Sequence, residues 1–345
     1  GSEEGRARWS KPTIVAWSLV CILAIAVAVL VMQSGRSNQS GITDVLRLVF
    51  DLAPAAEVSV GAVPSESGAE ADPLAISPDG KVIAFVGRGD EEGTTQLYMR
   101  ELGQFRAREI PGTESAMSPF FSPDGQWLGF YSWPERRLKT VPVSGGTAQV
   151  VCECDPILSA AWGPDGTIIM DSYGRSGLRM VAAGGGEPEE ITFRDRHLED
   201  TEYGFQHPRF LPGGRQLLLT AWGAGAATRR IVVFNLDESE RTTLLEDGWG
   251  PQYVETGHLV YQRANQLWAV PFDADRATVM GTPVPVLDSA FSITFTMLYE
   301  ISISGTLVYA PGPVPDARTA IYTVDRSGSM ERTPGDAGDW TVWSP

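Results

Sequence analysis

Cysteine and histidine are nearly missing: the chain of 345 residues has three of each. Three cysteines cannot build a disulfide framework or a cysteine-rich zinc module, and three histidines leave little for a histidine-based metal site. Basic residues are also short. Lys and Arg number 27 against 43 Asp and Glu, a formal net charge of −16. Nucleic-acid binding needs a basic footprint, so that class is excluded. No His-Glu-x-x-His, Cys-x-x-Cys or Gly-x-Ser-x-Gly signature occurs, which removes the familiar zinc-hydrolase, redox and serine-hydrolase constellations. No catalytic residue, metal ligand or cofactor is expected, and the chain reads as a non-enzyme.

One long apolar run is present. Residues 13–32, TIVAWSLVCILAIAVAVLVM, carry no charge, and a helix of that length spans a hydrocarbon core of ~30 Å. Arg6, Arg8 and Lys11 precede it, which by the positive-inside rule places residues 1–12 in the cytoplasm as a juxtamembrane tail. The remainder is then extracytoplasmic, anchored in a bacterial inner membrane by a single pass. Residues 33–72 read as a polar linker, within which Val45 to Leu52 is a candidate strand able to complete a last blade.

The other abundance is Gly (37) and Pro (24), the punctuation of many short strands. It is periodic. Ser77-Pro78-Asp79-Gly80 recurs as Ser122-Pro123-Asp124-Gly125, as Gly163-Pro164-Asp165-Gly166 and as Leu211-Pro212-Gly213-Gly214, with weaker copies ending at Gly257 and Gly305. The six turn glycines are spaced by 45, 41, 48, 43 and 48 residues. Each copy predicts an apolar strand, a tight turn, a second strand (Val82 to Val86, Trp127 to Tyr131 and their equivalents) and a third (Gln96 to Leu102, Arg137 to Val143, down to Ala320 to Asp325). Four antiparallel strands per period is a β-propeller blade. The expected architecture is all-β, with about six four-stranded blades over residues 73–345 and a truncated seventh repeat beginning at Trp343-Ser344-Pro345. The sequence is expected to continue on both sides as part of a longer protein.

The apolar-x-Ser-Pro-Asp-Gly turns, followed by strands such as Leu138 to Val143 and the Gly145-Gly146 turn, resemble the WD-like repeat of TolB-type propellers. Adding the basic tail and the apolar run, the whole chain resembles the membrane helix and extracytoplasmic sensor region of bacterial transmembrane Ser/Thr protein kinases. That resemblance implies a cytoplasmic kinase domain ahead of the helix. No His-Arg-Asp or Asp-Phe-Gly motif occurs in this chain, so the kinase itself lies elsewhere. A membrane-tethered transcription regulator with the same ectodomain, or the propeller of a prolyl-oligopeptidase-like enzyme, are the alternatives.

The Pro-Asp-Gly aspartates read as turn residues, and Cys152 and Cys154 as blade residues. Ligand recognition is expected on the face that carries the loops ahead of each innermost strand and those between second and third strands, above all Phe193 to Gln206, the longest interruption of the repeat. Candidate ligand-binding residues there are Asp195, His197, Asp200 and Tyr203, joined by Glu114, Trp133, Asp155, Trp222 and Trp249. The expected partner is an extracytoplasmic protein, peptide or small ligand, cationic or mixed polar, since the exported part carries about −17 and repels anions.

Overall fold

The computed structural model describes residues 46–50, 57–58, 71–88, 95–171, 177–191, 202–223, 229–288, 292–293, 296–309, 322–324, 330–332 and 340–344. The apolar run 13–32 lies outside them; among the described residues no helix is long and apolar enough to cross a membrane. Every regular element among these residues is a β-strand.

Five consecutive antiparallel meanders form the blades. Their innermost strands are Leu74–Ile76, Ala116–Phe121, Ala160–Trp162, Glu202–Phe210 and Trp249–Val254. Each runs through the turn into the second strand that the repeat predicts, Val82–Arg88 in blade 1 and His258–Arg263 in blade 5. A further four-stranded sheet is composite: Tyr299–Ile301, Leu307–Tyr309, Trp340–Ser344 and Leu46–Phe50. The expectation of about six blades plus a truncated seventh is therefore corrected to five blades of the repeat and one composite sheet. Trp343 and Ser344 start no new repeat; they pair with Leu307 and Leu46, respectively. Ala320 to Asp325 is not the third strand either, because Tyr322–Val324 pairs with Met330–Arg332 in a separate ribbon. The open edge of Leu307–Tyr309 needs a partner, and Trp-Thr-Val-Trp-Ser, aromatic and β-branched, meets that need better than the Asp- and Gly-rich stretch before it.

The turns follow from their chemistry. The Ser77 hydroxyl donates to Asp79 at 2.6 Å and accepts from the Val82 N–H at 2.9 Å; Ser122, Asp124 and Trp127 repeat the pattern. These serine bonds hold both aspartates below the usual carboxylate range. All six turn glycines have positive φ, from 67° to 97°, the region open to glycine without a side-chain penalty.

The core lies between blades. In blade 4, Leu217, Leu219, Val232 and Phe234 face blade 3, whereas Leu218, Ile231 and Val233 face blade 5. Both faces of each sheet are buried, so the period-two alternation reads in sequence as unbroken apolar runs. Cys152 and Cys154 are free thiols packed in the same blade 2–3 cluster.

Three innermost strands carry a bulge at one place. Register slips between Met117 and Phe120, Gln206 and Arg209, and Trp249 and Gln252. Ser118, His207 and Gly250 take positive φ there, and a proline follows each. A Cβ on Gly250 would sit 2.1 Å from Met297 Sδ and 2.9 Å from Tyr299 Oη. Gly250→Ala is expected to cost roughly 2–5 kcal/mol, left-handed strain plus overpacking. Gly112→Ala, with φ of 75° but open space around it, should cost only the strain of about 1 kcal/mol. Urea midpoints of the two variants check this; equal costs would mean that the close approach is relieved by repacking.

A polar arc in the central channel

The innermost strands surround a cavity of about 330 Å³. Its floor is a circuit of hydrogen bonds running from sheet to sheet. The Asp72 N–H donates to Leu158 O at 3.1 Å, and Asp72 Oδ1 accepts from the Met297 N–H at 2.9 Å. Ser118 Oγ donates to Leu158 O at 2.9 Å. Asp171 accepts from the N–H groups of Leu158 and Ser159 and from Ser159 Oγ, at 2.8, 3.0 and 2.6 Å. Ser159 Oγ in turn accepts from the His207 N–H, and Thr220 Oγ1 from the Gly250 N–H. Tyr299 Oη donates to Gly250 O at 2.6 Å. Ala71, Met117 and Leu158 pack beneath as an apolar plug.

Above the floor the lining has two characters. Counting back five residues from each turn glycine (80, 125, 166, 214, 257, 305) gives Ala75, Phe120, Ala161, Arg209, Gln252 and Glu300. All six line the cavity. Three neighbouring positions are apolar and three polar, so the channel has an apolar half and a polar arc. Arg209 pairs with Glu300 across the intervening Gln252. Gln252 Oε1 accepts from the Ile301 N–H at 2.7 Å, while its buried Nε2 has no hydrogen-bond partner among the described residues. Trp162, Phe210 and Tyr253, one residue further on, add an aromatic wall.

Carboxylates outnumber cations here. Burial raises Asp72 well above the usual range, against a backbone hydrogen bond from Met297 and the charge of Arg209. Burial raises Asp171 to about 6, opposed by its serine and backbone donors and by Arg209. Burial raises Glu300 too, opposed by Arg209 and by the Gln252 amide beside it. One guanidinium thus serves three buried acids, and the His207 imidazole lies 3.8 Å from Asp72.

The residues singled out in sequence sit elsewhere. Asp195, His197 and Asp200 fall outside the described residues. Tyr203 belongs to the innermost strand Glu202–Phe210, so the last part of the expected loop is strand, its backbone paired with Trp222 and its neighbours. Glu114, Trp133 and Asp155 gather at one end of blade 2: the Trp133 N–H donates to Ser115 O, and Arg136 pairs with Asp155 at 3.1 Å. Trp249 is buried beside His207 at the floor, with the Arg229 guanidinium 4.6 Å above its ring. Trp222 is half-buried. None of the five residues Glu114, Trp133, Asp155, Trp222 and Trp249 lines the cavity, which reaches Pro78, Pro123, Pro164 and Pro212 on the Pro-Asp-Gly side. Arg209, Gln252 and Glu300 were missed, although aligning the copies on their turn glycines exposes them.

No family model matches the chain, and no curated protein matches it in sequence. Solved structures do. The β-propeller domain of Cps50 (Swd1) from Myceliophteria thermophila matches with a TM-score of 0.51 at 11% identity, covering 87% of this chain and 100% of that one. Hydrazine synthase from Kuenenia stuttgartiensis gives 0.49 at 13% identity over 74% of this chain and 77% of that chain. TolB from Acinetobacter baumannii gives 0.48 at 17% identity over 63% of this chain and 54% of TolB, so the match spans about half of TolB's length. At such identities the likeness speaks for the fold, a β-propeller with TolB among its structural neighbours, and for nothing beyond it.

Proposed function

We propose that the chain is a non-catalytic recognition propeller whose ligand seats in the channel at the Pro-Asp-Gly mouth. One observation carries this reading: the cavity is walled by the innermost strands, and its polar arc contains a buried donor, Gln252 Nε2, that makes no hydrogen bond of ordinary geometry among the described residues. A concave, largely apolar pocket with a few converging polar groups is the usual form of a ligand site. In the finer form of the proposal, residues 13–32 anchor the propeller outside a bacterial inner membrane as the sensor of a transmembrane Ser/Thr protein kinase. The basic tail, the uncharged run and the repeat that follows them support it.

Filling the channel tests the site. Ala161→Phe points a ring into the cavity from blade 3 and is expected to abolish partner binding or signalling while the fold persists by circular dichroism. Shortening residues 193–201, the interruption that the sequence reading favoured, is the matching control, because length change between strands is expected to cost little. Loss of binding on loop shortening with full binding by Ala161→Phe would move the site to the other mouth.

A further inference from the structure

The lining of the channel holds more acids than cations, Asp72 and Glu300 against Arg209. Asp72 and Glu300 line the cavity, Asp171 is buried nearby but off its lining, and Arg209, a lining residue that pairs with Glu300, lowers all three through its charge. His207, from the same strand as Arg209, faces Asp72 from the floor. The net charge of the chain has the same sign as the excess. Phe120 and Trp162 line the cavity from blades 2 and 3, Phe210 and Tyr253 follow Arg209 and Gln252 in their strands, and the faces of such rings attract cations. Beside Glu300, whose carboxyl it helps to lower, the Gln252 amide keeps an Nε2 donor with no hydrogen bond of ordinary geometry among the described residues. An acceptor next to a cation satisfies both polar groups at once.

We propose, building on the channel reading above, that the ligand is an organic cation of one chemistry: a primary ammonium one carbon away from a carbonyl, on an apolar body. The ammonium pairs with the Glu300 carboxylate, the carbonyl accepts from Gln252 Nε2, and the apolar body lies against the aromatic wall. A cavity of about 330 Å³ holds a group the size of one large amino-acid residue. The free N-terminus of a peptide with a large apolar first residue has this chemistry, as does a free amino-acid amide. Anions are disfavoured by Glu300 and by the net negative charge of the chain. A neutral acylated analogue forfeits the Glu300 contact and leaves the excess charge unrelieved.

Three probes and one variant decide it, all on the whole chain. Phenylalaninamide, N-acetylphenylalaninamide and N-acetylphenylalanine are titrated by calorimetry at about pH 7, where a free α-amine is largely protonated. The cationic amide is expected to bind about tenfold or more tightly than its acetylated form, and the anion not at all; a tenfold difference is about 1.4 kcal/mol. Glu300→Gln is expected to bring the cationic and acetylated probes to equal affinity. Ala161→Phe should remove binding of both. A phenylalanine-led dipeptide amide binding at least as tightly as phenylalaninamide identifies a peptide N-terminus as the source, and weaker binding identifies a free small molecule. If the acetylated or anionic probe binds as well as the cation, in a manner lost on Ala161→Phe, the cation proposal falls and the channel site stands. If no probe binds, or binding survives Ala161→Phe, the channel site falls as well.

Discussion

Replacing Arg209 with methionine is expected to destabilise the propeller by about 3 kcal/mol at pH 7, and replacing Glu300 with leucine in the same chain to recover most of that loss. Removing one member of a buried ion pair leaves its partner charged in a poor solvent, at a typical cost of about 3–5 kcal/mol, whereas replacing both members with apolar groups is often close to neutral. The lower end applies because 21% of the Arg209 side chain remains exposed, against 10% of Glu300. The guanidinium also opposes the rise at Asp72 and Asp171, so three acids lose their counter-charge together. The loss should shrink near pH 5, where those carboxyls more readily take up protons. Urea midpoints for the two single variants and the double variant form the cycle. A single variant within about 1 kcal/mol of the parent, or a double variant as weak as Arg209→Met alone, would show that the pair is peripheral to stability.

The second large effect is an inverted pH dependence. Asp171 titrates at about 6 in the folded protein, against a reference of 3.8. Between those values the folded state holds a proton that the unfolded state has released. Stability from this group is therefore complete below about pH 4, falls as pH rises through 6, and is flat above. Two pKa units correspond to about 3 kcal/mol. Asp72 and Glu300 are raised as well and add the same sign. The lowered carboxylates Asp79 and Asp124 act oppositely but lie in exposed turns, where solvent screening weakens them. The thermal midpoint is expected to be higher near pH 5 than at pH 7. Asp171→Asn resembles the protonated acid: its oxygen still accepts from Leu158 and Ser159, and its amide can donate to Ser159 Oγ. That variant should lose the part of the slope that Asp171 contributes and be no less stable than the parent at pH 7. A parent midpoint that climbs steadily from pH 4.5 to pH 7 would refute the assignment.

Blade positions were legible in the sequence because a blade is local. The Ser-Pro-Asp-Gly turn encodes its own hydrogen bonds within a few residues, and the runs QLLLT and RIVVF already announce strands buried on both faces. The last sheet was not legible. Leu46–Phe50 and Trp340–Ser344 lie at opposite ends of the chain, and no local pattern says which distant strand will cover an open edge. The site shows the same division. Arg209 and Glu300 are 91 residues apart. Their register to the turn glycines is in the sequence, but their meeting depends on the ring bringing the innermost strands around one axis. Asp171 belongs to a second strand and gave no signal at all.

Loop length drew the sequence reading toward Phe193 to Gln206, whereas the cavity reaches the Pro-Asp-Gly side and is lined at its floor by Asp72, Ser118 and Ser159. Composition, turn chemistry and periodicity were enough to determine an all-β chain of repeated four-stranded units, since each of these is settled by neighbours in sequence. Which strands close the last sheet, which side holds the cavity, and that three acids share one guanidinium were decided only in three dimensions. Burial and charge pairing depend on groups that the chain keeps far apart until it folds.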